Sequence, residues 1–155
     1  MISKVSIAKH PIHPMLVPLP IGLWIFSLVC DIIFLTNREP VWSTIAFYSM
    51  AGGIIGALLA ALPGLLDLLA IPPSPPKRIG LWHLGINLGV VALYLVNFLW
   101  RRQLADHWST GPFALSILAV LLLCVSGWLG GEMVYVHGVA VVPAGGKELK
   151  GKLLD

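Results

Sequence analysis

The sequence predicts an all-α integral membrane protein, a bundle of four transmembrane helices with both chain ends on the cytoplasmic side. Composition is the first reason: 57% of residues are apolar, only 11% are charged, and the mean hydropathy is +0.89, whereas soluble domains carry roughly a quarter charged residues. Length is the second. A soluble fold of 155 residues buries only about 70% of its chain's surface, and this sequence lacks the polar residues to cover the rest. The third is the grouping of apolar residues into four runs, each long enough at about 1.5 Å per residue to cross about 30 Å of hydrocarbon.

The runs span residues 17–35, 41–71, 79–100 and 112–136, within a single membrane domain over 1–143. The first follows Lys4 and Lys9, as a signal peptide would. Pro14, Pro18 and Pro20 at its start, Asp31 inside it and the lack of a small-residue cleavage box make it a retained helix instead. Thr36-Asn37-Arg38-Glu39-Pro40 closes it, and the proline-rich stretch Pro72 to Arg78 closes the second run. Residues 101–111 close the third, and the glycine-bearing polar segment 144–155 is expected to be a mobile cytoplasmic tail.

Basic residues set the expected orientation. With the N-terminus inside, Lys4, Lys9, Lys77, Arg78, Lys147, Lys150 and Lys152 lie on the cytoplasmic side, against Arg38, Arg101 and Arg102 outside. The net charge of +3 is therefore a topology signal with some attraction to anionic lipid. No basic face with interleaved aromatics points to nucleic acid. The expected location is a prokaryotic cytoplasmic membrane, in multi-pass form.

Several chemistries lack their apparatus in the sequence. Cys30 and Cys124 fall at different depths and read as small packing residues, not as a disulfide. There is no CxxC, no CxxCH haem-attachment motif, no glycine-rich phosphate loop and no flanked nucleophilic serine.

What stands out is a one-sided set of polar residues. Because the helices alternate in direction, His10, His13, Asp67, His83, Glu132 and His137 all return to the cytoplasmic leaflet. Ionisable groups at membrane depth are costly enough to suggest function. On the third run, His83, Asn87, Val90, Tyr94, Asn97 and Arg101 follow steps of four and three and form one mostly polar stripe that must face protein or water. On the second, Gly53, Ala57, Ala60, Gly64 and Asp67 form a small-residue groove, and Gly127 with Gly131 forms another on the fourth; such grooves admit a helix or a flat cofactor. Pro63 is expected to kink the second helix, and Gly130-Gly131 to loosen the fourth.

In His10-Pro11-Ile12-His13-Pro14 each histidine precedes a proline, which biases both toward extended geometry, with Pro14 at the first helical position. The segment reads as a stiff strap over one mouth of the bundle. A second strap, 135–141, follows the fourth helix, with Gly138 permitting a sharp exit.

The strings HPIHPMLVPLPIG (10–22), PGLLD around Asp67, WHLGIN (82–87) and GGEMVYVHGV (130–139) resemble domain-of-unknown-function family 2231, bacterial and archaeal membrane proteins. The resemblance covers essentially the whole chain. It implies four transmembrane helices and assigns no activity.

The residues themselves suggest a membrane redox module rather than a stand-alone enzyme: His10, His13, His83 and His137 ligating b-type haem, with His13 and His83 as one pair. Asp67 and Glu132 would orient imidazoles through their free N–H groups, with Asn87 and Trp82 nearby. Electrons would pass between a quinol or soluble donor and a partner protein. The same four histidines suit a zinc, iron or copper ion instead, His10 and His13 chelating together. A third reading is a non-catalytic accessory subunit, whose polar stripe serves packing alone or assembly with further copies. Transport is weaker, since no inverted repeat is visible.

Each residue also has a plainer reading. His10 and His13 suit a lipid-headgroup boundary, His83 suits a hydrogen-bonded packing role, and Asp67 and Glu132 suit pairing with Lys77, Arg78 or a histidine. Asp31 reads as structural, with Arg38 and Arg101 in reach, and His107 beside Trp108 as interfacial. The six tryptophans fall mostly at boundaries, as an aromatic belt does, Trp82 included.

Overall fold

The computed structural model describes residues 3–8, 10–104 and 109–141. It opens on a small antiparallel hairpin, β1 (Ser6–Ile7) and β2 (His10–Pro11), with Ser6 opposite Pro11 and Ile7 opposite His10. A short helix α1 (Ile12–Leu16) leads into α2 (Pro18–Asn37), followed by α3 (Pro40–Ala70), α4 (Pro75–Gln103) and α5 (Thr110–Tyr135). Four helical spans, Ile12–Asn37, Pro40–Ala70, Pro75–Gln103 and Thr110–Tyr135, are long and apolar enough to cross a membrane. The predicted tail and the segment with His107 and Trp108 lie outside the described residues.

Proline fixes most of the helix starts. Pro18, Pro40 and Pro75 each stand in the first turn of a long helix, where a missing N–H costs nothing and a fixed φ is already helical. The sequence predicts a break from Pro72 to Arg78; instead Pro75-Pro76-Lys77-Arg78 is the first turn of α4, which begins four residues earlier than expected. At the other end of α2, Arg38 closes the helix in a left-handed conformation (φ 58°, ψ 18°), and its guanidinium lies 5.8 Å from the Phe34 ring centre. His10 is extended as expected, but His13 is helical: α1 starts before it and Pro14 falls within the turn rather than at its first position.

The packing is that of a membrane bundle, apolar side chains outward as well as inward. Leu58, Leu62, Leu88, Val96, Leu121 and Trp128 are exposed along α3, α4 and α5, which suits lipid and not water. The core is small, built from Trp24, Met50, Ile54, Val90, Tyr94, Ala119 and Leu123. Trp24 and Tyr94 stack at its centre with ring centroids 4.3 Å apart and planes 8° from parallel. The α3 groove exists, and α2 fills it: a Cβ on Gly53 would lie 2.4 Å from the Trp24 ring, and one on Gly56 3.2 Å from Leu19 and Pro20. Gly127 faces open space and Gly131 meets only Tyr135 of its own helix turn, so the expected α5 groove at those two positions is not a contact. Both cysteines are free; Cys30 is buried, whereas Cys124 faces outward and packs nothing in the core.

Candidate functional site: a paired-histidine centre

The polar stripe of α4 faces protein. Val90, Tyr94 and Asn97 are fully buried, and His83 and Asn87 are half-buried at the end where α4 begins. There His83 meets His13, with ring centroids 6.5 Å apart and planes perpendicular.

Each ring is held in the same way. His13 Nδ1 donates to the backbone carbonyl of Ala60 on α3 at 2.8 Å. His83 Nδ1 lies 2.9 Å from both the carbonyl and the hydroxyl oxygen of Ser126 on α5. A carbonyl oxygen only accepts, so both rings carry their proton on Nδ1, and in the neutral form both Nε2 atoms keep a free lone pair. Asn87 Nδ2 supports the second ring, donating to the Ser126 hydroxyl at 2.6 Å and to the His83 carbonyl at 2.8 Å.

Glycine makes the close approach possible. Gly64 is one helical turn beyond Ala60, and a Cβ there would sit 2.6 Å from His13 Nδ1; Gly130 is one turn beyond Ser126, and a Cβ there would sit 3.3 Å from His83 Cε1. Pro63, inside α3, returns no N–H to the preceding turn of that same stretch. The sequence pattern singled out Gly64 as part of a groove, and its occupant is an imidazole.

The carboxylates do other work than expected. Neither Asp67 nor Glu132 orients an imidazole, because backbone carbonyls have taken the Nδ1 protons. Asp67 instead accepts from the Ser3 hydroxyl at 2.8 Å through both oxygens, from Lys4 N–H at 2.7 Å and from Val5 N–H at 3.3 Å. It pins the N-terminal hairpin across this end of the bundle, a role invisible in the sequence because its partners are one hydroxyl and two backbone N–H groups 62 to 64 residues away. Lys77 donates to the Leu68 carbonyl near the end of α3, not to Asp67. Glu132 is half-buried and has no side-chain partner among the described residues.

The other sequence-predicted ligands stand apart from the pair. His10 is exposed, with Nδ1 donating to the Ala8 carbonyl at 3.0 Å, and His137 is exposed beyond the end of α5, where Gly138 turns the chain at φ 62°. Trp82, 69% exposed, points away as a belt residue does. Among the described residues, no three His, Cys, Asp or Glu side chains gather as a metal-ligand group. The four-histidine cluster is thus a cluster of two.

A second polar centre lies at the far end of the bundle. Asp31, fully buried, receives two 2.6 Å hydrogen bonds from Arg101, which also donates to Asn97 Oδ1 at 2.9 Å. Asn97 donates in turn to the Ser116 hydroxyl and the Pro112 carbonyl. This is the structural pairing expected for Asp31, with Arg101 as the partner.

Four long apolar helices around a thin core that holds buried polar groups define a multi-pass membrane protein. The profile of the family described as predicted membrane protein (DUF2231) matches residues 9–143, and the chain belongs to that family. No curated protein and no solved structure matches the chain.

Proposed function

We propose that this protein is a membrane redox module in which His13 and His83 are the two axial ligands of a b-type haem. The observation that carries the reading is the pair itself: two imidazoles, 6.5 Å apart, each with Nδ1 committed to a main-chain oxygen and Nε2 left as a base. Such a hydrogen bond fixes tautomer and ring orientation and raises ligand basicity. Ligand count favours haem. A bare ion takes three or four protein ligands, whereas a porphyrin supplies four nitrogens and asks the protein for two. Haem iron would supply one-electron chemistry, passing electrons from a quinol or soluble donor to a partner protein. The basic residues favour the cytoplasmic leaflet of a prokaryotic inner membrane for this end.

One observation favours a compact zinc, iron or copper ion instead. The α3 groove that would admit a macrocycle is filled by Trp24, Leu19, Pro20 and His13, and an ion needs no slot. It would need further ligands from outside the pair, such as His10, His137 or a second copy of the chain.

Absorption spectra of the protein in mild detergent, oxidised and dithionite-reduced, with metal analysis on the same sample, test both. A Soret band with sharp reduced bands, lost in His13→Ala and in His83→Ala, is the expected result. A colourless protein with stoichiometric metal supports the ion reading, and a colourless, metal-free protein leaves an accessory subunit.

A further inference from the structure

The two histidine anchors are one instance of a pattern that runs through the whole bundle. His13 binds Ala60 and His83 binds Ser126; Ser27 donates to the Ala46 carbonyl and Asn97 to the Pro112 carbonyl. Donor and acceptor are 47 and 43 residues apart in the first comparison, 19 and 15 in the second. In both, the α4–α5 hairpin is shorter by the same four residues, about one helical turn. Laying residue 13 on residue 83 places Trp24 on Tyr94, Ser27 on Asn97 and Asp31 on Arg101. Laying Ala60 on Ser126 places Gly64 on Gly130, Ala46 on Pro112, Met50 on Ser116 and Gly53 on Ala119.

Corresponding residues also meet each other. His13 faces His83 at 6.5 Å, Trp24 stacks on Tyr94 at 4.3 Å, and Asp31 pairs with Arg101 at 2.6 Å. Contact between a position and its own counterpart is the mark of a two-fold axis. These three contacts fall at successive depths, so the axis runs along the bundle between α2 and α4. The differences between halves fit too. Trp24 requires the bare backbone of Gly53, while the smaller Tyr94 shares the core with Ala119, the counterpart of Gly53.

We infer that this chain is a duplicated helix hairpin folded about an internal two-fold axis, and that the group held between His13 and His83 lies on that axis, taking one imidazole from each hairpin on equal terms. The second half of this statement rests on the haem reading above; the first does not. A haem held so, by one residue from each hairpin, would supply electron transfer. At the opposite end the axis carries unlike charges. Two aspartates or two arginines there would repel, so Asp31 and Arg101 make the pairing of the two hairpins one-way.

Exchanges of counterparts in the full-length chain test the duplication, read by thermal unfolding in detergent. Asp31→Arg and Arg101→Asp each place like charges across the axis and lower the midpoint; combined, they are expected to recover at least half of the larger loss. Trp24→Tyr combined with Tyr94→Trp is expected to melt much closer to wild type than Trp24→Ala does. A charge-exchanged protein no more stable than its worse single variant, together with a Trp/Tyr exchange as damaging as Trp24→Ala, overturns the duplication whatever is bound. Spectra read the shared ligand. His13→Ala and His83→Ala should lose the bands to the same extent, and added imidazole should restore them equally in both. Haem bands in wild type that only one of the two variants alters overturn equal sharing and leave the haem reading standing; no bands in wild type overturn both, and the exchanges still decide the duplication.

Discussion

Arg101 grips Asp31 through two parallel N–H···O bonds of 2.6 Å, with the carboxylate fully buried and the guanidinium side chain 12% exposed. The pair joins α4 to α2 at the end of the bundle away from the histidines. Bidentate geometry of this kind is strong and directional, and a buried partner left alone is expensive. Arg101→Met should therefore destabilise the protein by about 3–5 kcal/mol, whereas Asp31→Leu combined with Arg101→Met should lose far less. A double-mutant cycle of thermal unfolding in detergent measures the difference.

Gly64 is expected to be intolerant of a side chain because His13 occupies its space. Gly64→Ala would press a methyl group against Nδ1, 2.6 Å away, displacing the ring from the Ala60 carbonyl at a cost of about 1–3 kcal/mol. In a His13→Ala background the same change should cost much less. Unfolding midpoints of the two single variants and the double variant decide it, and additivity would place the conflict elsewhere.

The Tyr94 hydroxyl is the one buried side-chain polar atom among the described residues without a hydrogen-bond partner. Removing an unsatisfied buried group relieves a desolvation penalty of about 1–3 kcal/mol. Tyr94→Phe, which keeps the stack on Trp24, is accordingly expected to unfold at the wild-type temperature or above. A clear drop in midpoint would mean that the hydroxyl binds something, such as an internal water.

Asp67 ties the N-terminal hairpin down. Asp67→Ala removes the acceptor for Ser3, Lys4 and Val5, and local opening of a short two-stranded hairpin has little else to resist it. Amide hydrogen exchange over 3–11 should accelerate severalfold while the helices keep their protection. Unchanged exchange would show that the Ile12-to-Val5 main-chain bond suffices.

Composition and periodicity alone determined the four helices, their membrane habitat, the buried stripe of α4 and the pairing of Asp31 with an arginine, because hydrophobic length and helical spacing are local properties. The small-residue groove was legible too, as a place where something comes close. What only the tertiary structure decided was what meets what. His13 and His83 are each held by a main-chain carbonyl, and every residue owns one, so no residue type announces the acceptor. Asp67 serves backbone N–H groups of a hairpin too short to leave a periodic signal. The internal two-fold was likewise hidden: of positions 13–31 laid on 83–101, only His13 with His83 and Leu23 with Leu93 are identical. Lipid tolerates almost any apolar side chain on the outer faces, so resemblance survives only in depth and facing, which are properties of the folded bundle.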